Sequence, residues 1–296
     1  MKQFFLGLPL GMRFMILSAF GFSVMAVCVK FASLNGIPVL EIVAARAFVS
    51  LVLSYADIHR KGIPAFGRNK TLLFARGLVG TFALICVYYA ITNLPLAEAT
   101  VLQYLYPVFT AVLALFFLKE RIHWTLVLSI LLSFIGLLLV VRPAFLFAEF
   151  AHDLSNVAVL AGVLGAFGSG IAYVLVRKLS QTEDSSVIIF YFPFIALPFS
   201  LILLAHGNDF VVPDLATLGL LVLVGIFTQV GQVGLTKAMQ TETAGRASAF
   251  AYLQVVFAAI FGWMFFQEIP DIGFVVGAIF ILFGVLVNLL YKQKIS

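Results

Sequence analysis

LAEATVLQYLYPVFTAVLALFFLKE, residues 96–120, aligns without a gap to AGRASAFAYLQVVFAAIFGWMFFQE, residues 244–268, at a shift of 148. Between 97 and 120 eight positions are identical, among them Tyr104 with Tyr252, Phe109 with Phe257, Phe117 with Phe265 and Glu120 with Glu268. A composition this biased gives about two by chance. A second pair lies far from the first: SAFGFSVMAVCVKFAS at 18–33 matches GAFGSGIAYVLVRKLS at 165–180, a shift of 147 that sets Lys30 opposite Arg177. Two distant stretches agreeing within one residue make the chain a tandem duplication.

The solvent of this duplication is lipid. The 296 residues are 63% hydrophobic and 10% charged, with a mean hydropathy of +1.14. A water-soluble domain carries about 25% charge, and here too few polar residues exist to clothe a core. On a ruler of about 20 apolar residues per crossing, the first half holds spans at 12–33, 39–57, 71–92, 97–118 and 124–142. The second holds them at 157–178, 186–205, 215–237, 246–267 and 272–291. The N-terminal MKQFFLGLPLGMRF runs into the first span without a cleavage signature and reads as a retained helix. The connectors leave no room for a soluble domain. The predicted units are 1–145, a connector at 146–156 and 157–296, with the half-apolar PAFLFAEFAHDL between the halves read as interfacial.

Charge sets the topology. The net charge of +5 and pI near 9.2 do not cluster as a nucleic-acid face would. With the N-terminus cytoplasmic, the cytoplasmic loops collect Arg60, Lys61, Arg68, Lys70, Lys119, Arg121, Arg177, Lys178, Lys237, Arg246, Lys292 and Lys294. Lys30 and Arg142 are the exceptions, at helix ends from which a long side chain reaches the headgroups. Five spans per repeat is odd, so the second copy crosses in the opposite sense. KERIH after the fourth span is basic, while its counterpart QEIPD after the ninth has no base. The expected fold is all-α and membrane-integral: ten transmembrane helices as two inverted five-helix repeats, in a cell (inner) membrane of bacterial type with both termini cytoplasmic. Inverted repeats offer two packings of similar energy, one open to each side, with a site between them.

The stretch AITNLPLAEATVLQYLYPVFTAVLALFFLKERIHWTLVLSILLSFIGLLLVV, with Pro107 in the fourth span and Glu120 at its end, resembles the drug/metabolite transporter superfamily, in particular its members with two EamA domains. Arg46 in EIVAARAFVSL matches that family's second-helix arginine. The resemblance covers nearly the whole chain. It implies ten helices, a central cavity lined mainly by helices 1, 3, 4, 6, 8 and 9, and export or exchange of amino acids, related metabolites or drugs. The second copy departs from the pattern, with Val255 where the first has Pro107, which removes the sequence reason for a kink in the ninth helix.

Polar residues three, four and seven apart share a helix face. Gln103, Tyr106 and Thr110 form such a stripe on the fourth span, with Gln254 as the repeat partner of Tyr106. Gln229, Gln232 and Thr236 form another on the eighth, mapping onto Thr81, Leu84 and Tyr88 of the third. Ser169 and Tyr173 lie one turn apart on the sixth, within the small-residue run GVLGAFGSG. An amide in hydrocarbon must face water or find a partner, so these faces either line a substrate cavity or bond helix to helix. Arg46 sits deep in the second span; Glu41 and Glu98 are its candidate partners, as an ion pair or a gate. Arg76, nearer the cytoplasmic end of the third span, is expected to reach the headgroups. Glu120 and Glu268 are expected to serve the N-terminus of the helix that follows each.

No enzyme reading gains a foothold. His59, His123, His152 and His206 fall at loops or span ends, Cys28 and Cys86 are isolated, and no metal, nucleotide or other cofactor motif is present. The expected partners are a small-molecule substrate and the bilayer, without nucleic acid. The expected activity is secondary transport of a small organic metabolite by alternating access; the rivals are a membrane enzyme on lipid-linked substrates and a non-transporting interaction protein.

Overall fold

The computed structural model describes residues 9–94, 96–141, 155–207, 210–267 and 272–290. Arg142, most of the connector with His152, Glu268, Lys292 and Lys294 lie outside these residues, as does the side chain of Glu98. The described residues are helical: α1 Leu10–Leu34, α2 Val39–Lys61, α3 Lys70–Asn93, α4a Leu96–Gln103, α4b Tyr106–Phe117, α5 Trp124–Val141, α6 Asn156–Leu179, α7 Ser185–Gly207, α8 Leu215–Thr241, α9a Ala244–Ala249, α9b Leu253–Phe266 and α10 Ile272–Leu290. Among them nine segments are long and apolar enough to cross a bilayer, and a shorter apolar helix, Ile272–Asn288, makes the tenth.

Local sequence sets the helix ends. Asn69, Ser155 and Asp214 cap α3, α6 and α8, each side chain accepting from the backbone N–H three residues on. Gly62 closes α2 in the left-handed region, where a Cβ would be strained. Left-handed non-glycine residues occur at two places among the described residues, Lys119 and Gln267, which are 148 positions apart. The duplication is thus written into the backbone as well as the sequence.

Packing repeats the same exchange. α1 lies on α8 and α6 on α3, α4b on α6 and α9b on α1, while α2 meets α7 and α5 meets α10. Swapping the two copies maps this list onto itself, as a two-fold between inverted five-helix repeats requires. Tyr104 and Tyr252, 148 apart, touch directly: their rings stack with centroids 5.7 Å apart, and the Tyr252 hydroxyl donates to the Tyr104 carbonyl at 2.9 Å. Equivalent residues can touch only at the axis. Lipid gives no hydrophobic drive between helices, so close approach has to supply the attraction. Gly21 meets Gly231 where α1 crosses α8, and Gly136 faces Gly277 where α5 crosses α10.

Both copies of the fourth helix break. α4 turns at Tyr104–Leu105, ahead of Pro107, and α9 passes through a 3-10 turn at Phe250–Tyr252 with no proline. Val255 removes the proline but not the irregularity, which is present in the ninth helix as this 3-10 turn. The Tyr104–Tyr252 contact lies at both breaks, so tertiary packing imposes on α9 what Pro107 favours in α4.

Candidate functional site

The site is built where α3, the end of α4a, α6 and α7 leave space at mid-depth. A cavity of about 130 Å³ is lined there by Arg76, Gly80, Gln103, Ser169, Tyr173 and Phe192 among others. Its walls come from both repeats. Against it lies a slit of about 10 Å³ holding Arg46, Ser50 and Thr228, with Leu84 and Phe192 common to both spaces.

Two arginines dominate this centre. Arg76 does not reach the headgroups: it is 5% exposed, and its Nε has no hydrogen-bond partner. Its guanidinium carbon stands 4.8 Å from the centre of the Phe192 ring, and that of Arg46 stands 6.0 Å from the same ring. Among the described residues no Asp or Glu lines either space. Arg46 makes no ion pair with Glu41. Five residues on one helix are about 140° apart around its axis, and the Glu41 carboxylate instead accepts the Val211 N–H at 3.1 Å. An unpaired arginine at this depth costs roughly 2.5–3.5 kcal/mol, and one aromatic face returns about 0.5–2 kcal/mol. Two arginines sharing Phe192 are not compensated by it.

The sequence stripes separate in space. Gln103, Ser169 and Tyr173 converge on the central cavity. Tyr106 is buried behind them, its ring 4.9 Å from that of Tyr173. Thr110 is fully buried, donates to the Tyr106 carbonyl at 2.7 Å, and sits where α4b crosses Gly170 of α6. Thr81 and Tyr88 turn to a different, largely apolar cavity of about 260 Å³ between α2, α3 and α7. Arg76, Gly80, Ala83 and Val87 form the α3 face that meets the centre. Leu84 lines the central cavity, the slit and the apolar cavity alike. Gln229 bonds helix to helix, accepting from Ser50 at 2.7 Å and donating to Ser54 at 2.9 Å, and it also lines a groove of about 420 Å³ with Arg60, Lys61 and Lys237. Gln232 and Gln254 are half-buried and line none of these spaces. The sequence reading missed Arg76 and Phe192. The signal for Arg76 was the small-residue face it shares with Gly80 and Ala83, since only a face packed against protein needs small residues.

Polar contacts between the repeats gather at the end of the bundle where α1 begins, the near end. Lys61 Nζ reaches Asp184 and Asp57, each at 2.9 Å, and Ser186 bonds Asp57. Burial alone would raise the Asp184 carboxyl, but hydrogen bonds from Lys61 and Ser186 outweigh it and hold the group below its ordinary value. Glu183 accepts from the backbone N–H groups of Arg68 and Asn69. Glu120 does not cap the helix after it. Its carboxylate takes Arg177 Nε at 3.0 Å and the Ala244 N–H at 2.8 Å, tying α6 and the start of α9a to the end of α4b. Lys119 in the left-handed region turns Glu120 away from α5 toward these partners. Replacing Glu120 by Ala leaves a half-buried Arg177 without its acid, and the expected loss is about 2 kcal/mol. Thermal unfolding in detergent checks it, with Glu120→Gln, which keeps one of the two acceptor oxygens and no charge, expected to fall between wild type and the Ala variant.

The chain has relatives over most of its length. It is 34% identical over 272 residues to the pseudopaline exporter CntI of Pseudomonas aeruginosa, covering 92% of this chain and 93% of that protein. It is 34% identical over 279 residues to solute carrier family 35 member G1 of Mus musculus, covering 91% of this chain and 75% of that one. A solved chain at 15% identity overlays with a TM-score of 0.83, covering 95% of this chain and 96% of the other, which establishes the shared fold. The EamA-like transporter family matches twice, at residues 9–142 and 156–290, once on each repeat. With both halves matched, the chain belongs to the EamA-like transporter family.

Proposed function

We propose that this protein is a secondary transporter that moves a small organic metabolite by rocking one five-helix repeat against the other. The observation that carries this reading is the central cavity itself: α3 and α4a of one repeat and α6 and α7 of the other wall it, beside an axis marked by Tyr104 and Tyr252. A site between inverted repeats can face either side without being rebuilt. Arg76, Gln103, Ser169 and Tyr173 are its substrate-facing residues, with Arg46 behind Phe192 and Tyr106 supporting Tyr173. Thr81, Leu84 and Tyr88 line the approach from the far end, where Glu41 and Val211 meet.

The positive-inside pattern supports a cytoplasmic near end, with both termini on that side of a bacterial-type inner membrane. The repeats are taken as 1–145 and 157–296. The 34% identity to an exporter favours outward movement or exchange. The test compares solutes released by cells overexpressing the protein with those from cells carrying the empty vector, then reconstitutes the protein with each enriched solute in liposomes. Saturable, protein-dependent flux is expected; absence of flux for every enriched solute would remove the transport reading.

A further inference from the structure

The cargo class follows from the charge left open at the centre, on the reading that this centre is a transport site. We propose that the central cavity takes a small organic anion, its carboxylate or phosphate group held by the Arg76 guanidinium, with the charge of Arg46 behind the shared Phe192 ring adding to the attraction.

Three observations lead there. Both guanidinium groups approach one ring, so they are no further apart than the sum of their distances to its centre, and like charge at that range is repulsive. Arg76 is almost fully buried with Nε unpartnered beside the cavity, a donor that the protein itself leaves without an acceptor. The acids described in the two nearest spans are engaged elsewhere: Glu41 by the Val211 N–H, Asp57 by Arg60 and Lys61. A neutral cargo would leave the buried Arg76 charge unmatched beside that of the half-buried Arg46, and a cationic one would add a third. An anion matches them, and the planar fork of Arg76, which lines the cavity, suits a carboxylate or phosphate in bidentate geometry.

The near-end groove carries the same sign. Arg60, Lys61 and Lys237 line it with Asp57 as the acid among them, and Asp57 is already bonded to the first two. A positive approach to a positive site raises the local concentration of anions along the route.

The experiment profiles, by mass spectrometry, solutes that change inside and outside cells expressing wild type, Arg46→Gln, Arg76→Gln, Arg76→Lys or no protein, with membrane levels of each variant matched by immunoblot. The expected cargo is anionic at neutral pH, its transport falls at least tenfold in Arg76→Gln and by a smaller factor in Arg46→Gln, and Arg76→Lys retains part of it. Mass and fragmentation tell a carboxylate from a phosphate. A neutral or cationic cargo, or an anionic one moved at wild-type rate by both Gln variants, overturns the proposal while leaving transport standing. No protein-dependent change in any solute instead removes the transport reading, and this inference with it.

Discussion

Arg76→Met should make the protein more stable and stop it working. Methionine has nearly the length of the arginine stem and no charge, so it relieves an unpaired buried guanidinium at the loss of one cation–π contact. The net expected gain is about 2 kcal/mol, the difference between the middle of a roughly 2.5–3.5 kcal/mol penalty and that of a contact worth about 0.5–2 kcal/mol. Transport should fall at least tenfold, since the group that faces the cavity is gone. The two signs together are diagnostic. A residue that merely holds α3 against α7 would lose stability on truncation, and a melting temperature below wild type would place Arg76 in that structural role. Unfolding in detergent and flux in liposomes, measured on the same preparation, check both signs.

Gly136→Leu should do the reverse, removing the fold before any question of transport arises. A Cβ at Gly136 would lie 2.5 Å from the carbonyl oxygen of Gly277, and a Cβ at Gly277 equally close to the carbonyl of Gly136. Backbone cannot swing aside as a side chain can, so α5 and α10 must separate. That crossing joins the two repeats, and its loss forfeits the close contact that holds helices together in lipid. Overpacking in an ordinary core costs about 1–3 kcal/mol; with backbone on the far side the expected cost is above that range. The readout is the monodisperse fraction after detergent extraction, which should collapse for Gly136→Leu and persist for Gly219→Leu, where nothing lies within 4 Å.

The architecture was legible because duplication and lipid solvent leave coarse marks: a fixed shift, spans of a set length, and basic loops on alternate sides. The match of Lys119 to Gln267 in backbone conformation, and of Tyr104 to Tyr252 across the axis, follows from that same shift. The site was legible only in part. Gln103, Ser169 and Tyr173 line one cavity, while Tyr106 and Thr110, read as one stripe with Gln103, are buried away from it. Thr81 and Tyr88 do not line it either, because α3 has protein on two sides and its polar and small-residue faces meet different spaces. Arg76 has Val224 as its repeat counterpart, so the internal comparison that exposed the fold gave no hint of it. Glu120 looked like a local cap because the next helix follows closely; its partners come from α6 and α9a, which no local pattern could reveal.

The central claim is that one mid-membrane site faces the two sides of the bilayer in turn. Ser169→Cys, on a background with Cys28 and Cys86 replaced by serine, puts a single thiol at the central cavity. Its reaction with a membrane-impermeant thiosulfonate is followed in right-side-out and in inside-out vesicles. Labelling from both faces is expected. Once the near end is locked by a carbodiimide-formed amide between Lys61 and Asp184, which lie 2.9 Å apart, labelling of the single thiol from that face should stop while labelling from the other continues. A thiol reachable from one face only, or still reachable from both after the lock, would contradict alternating access.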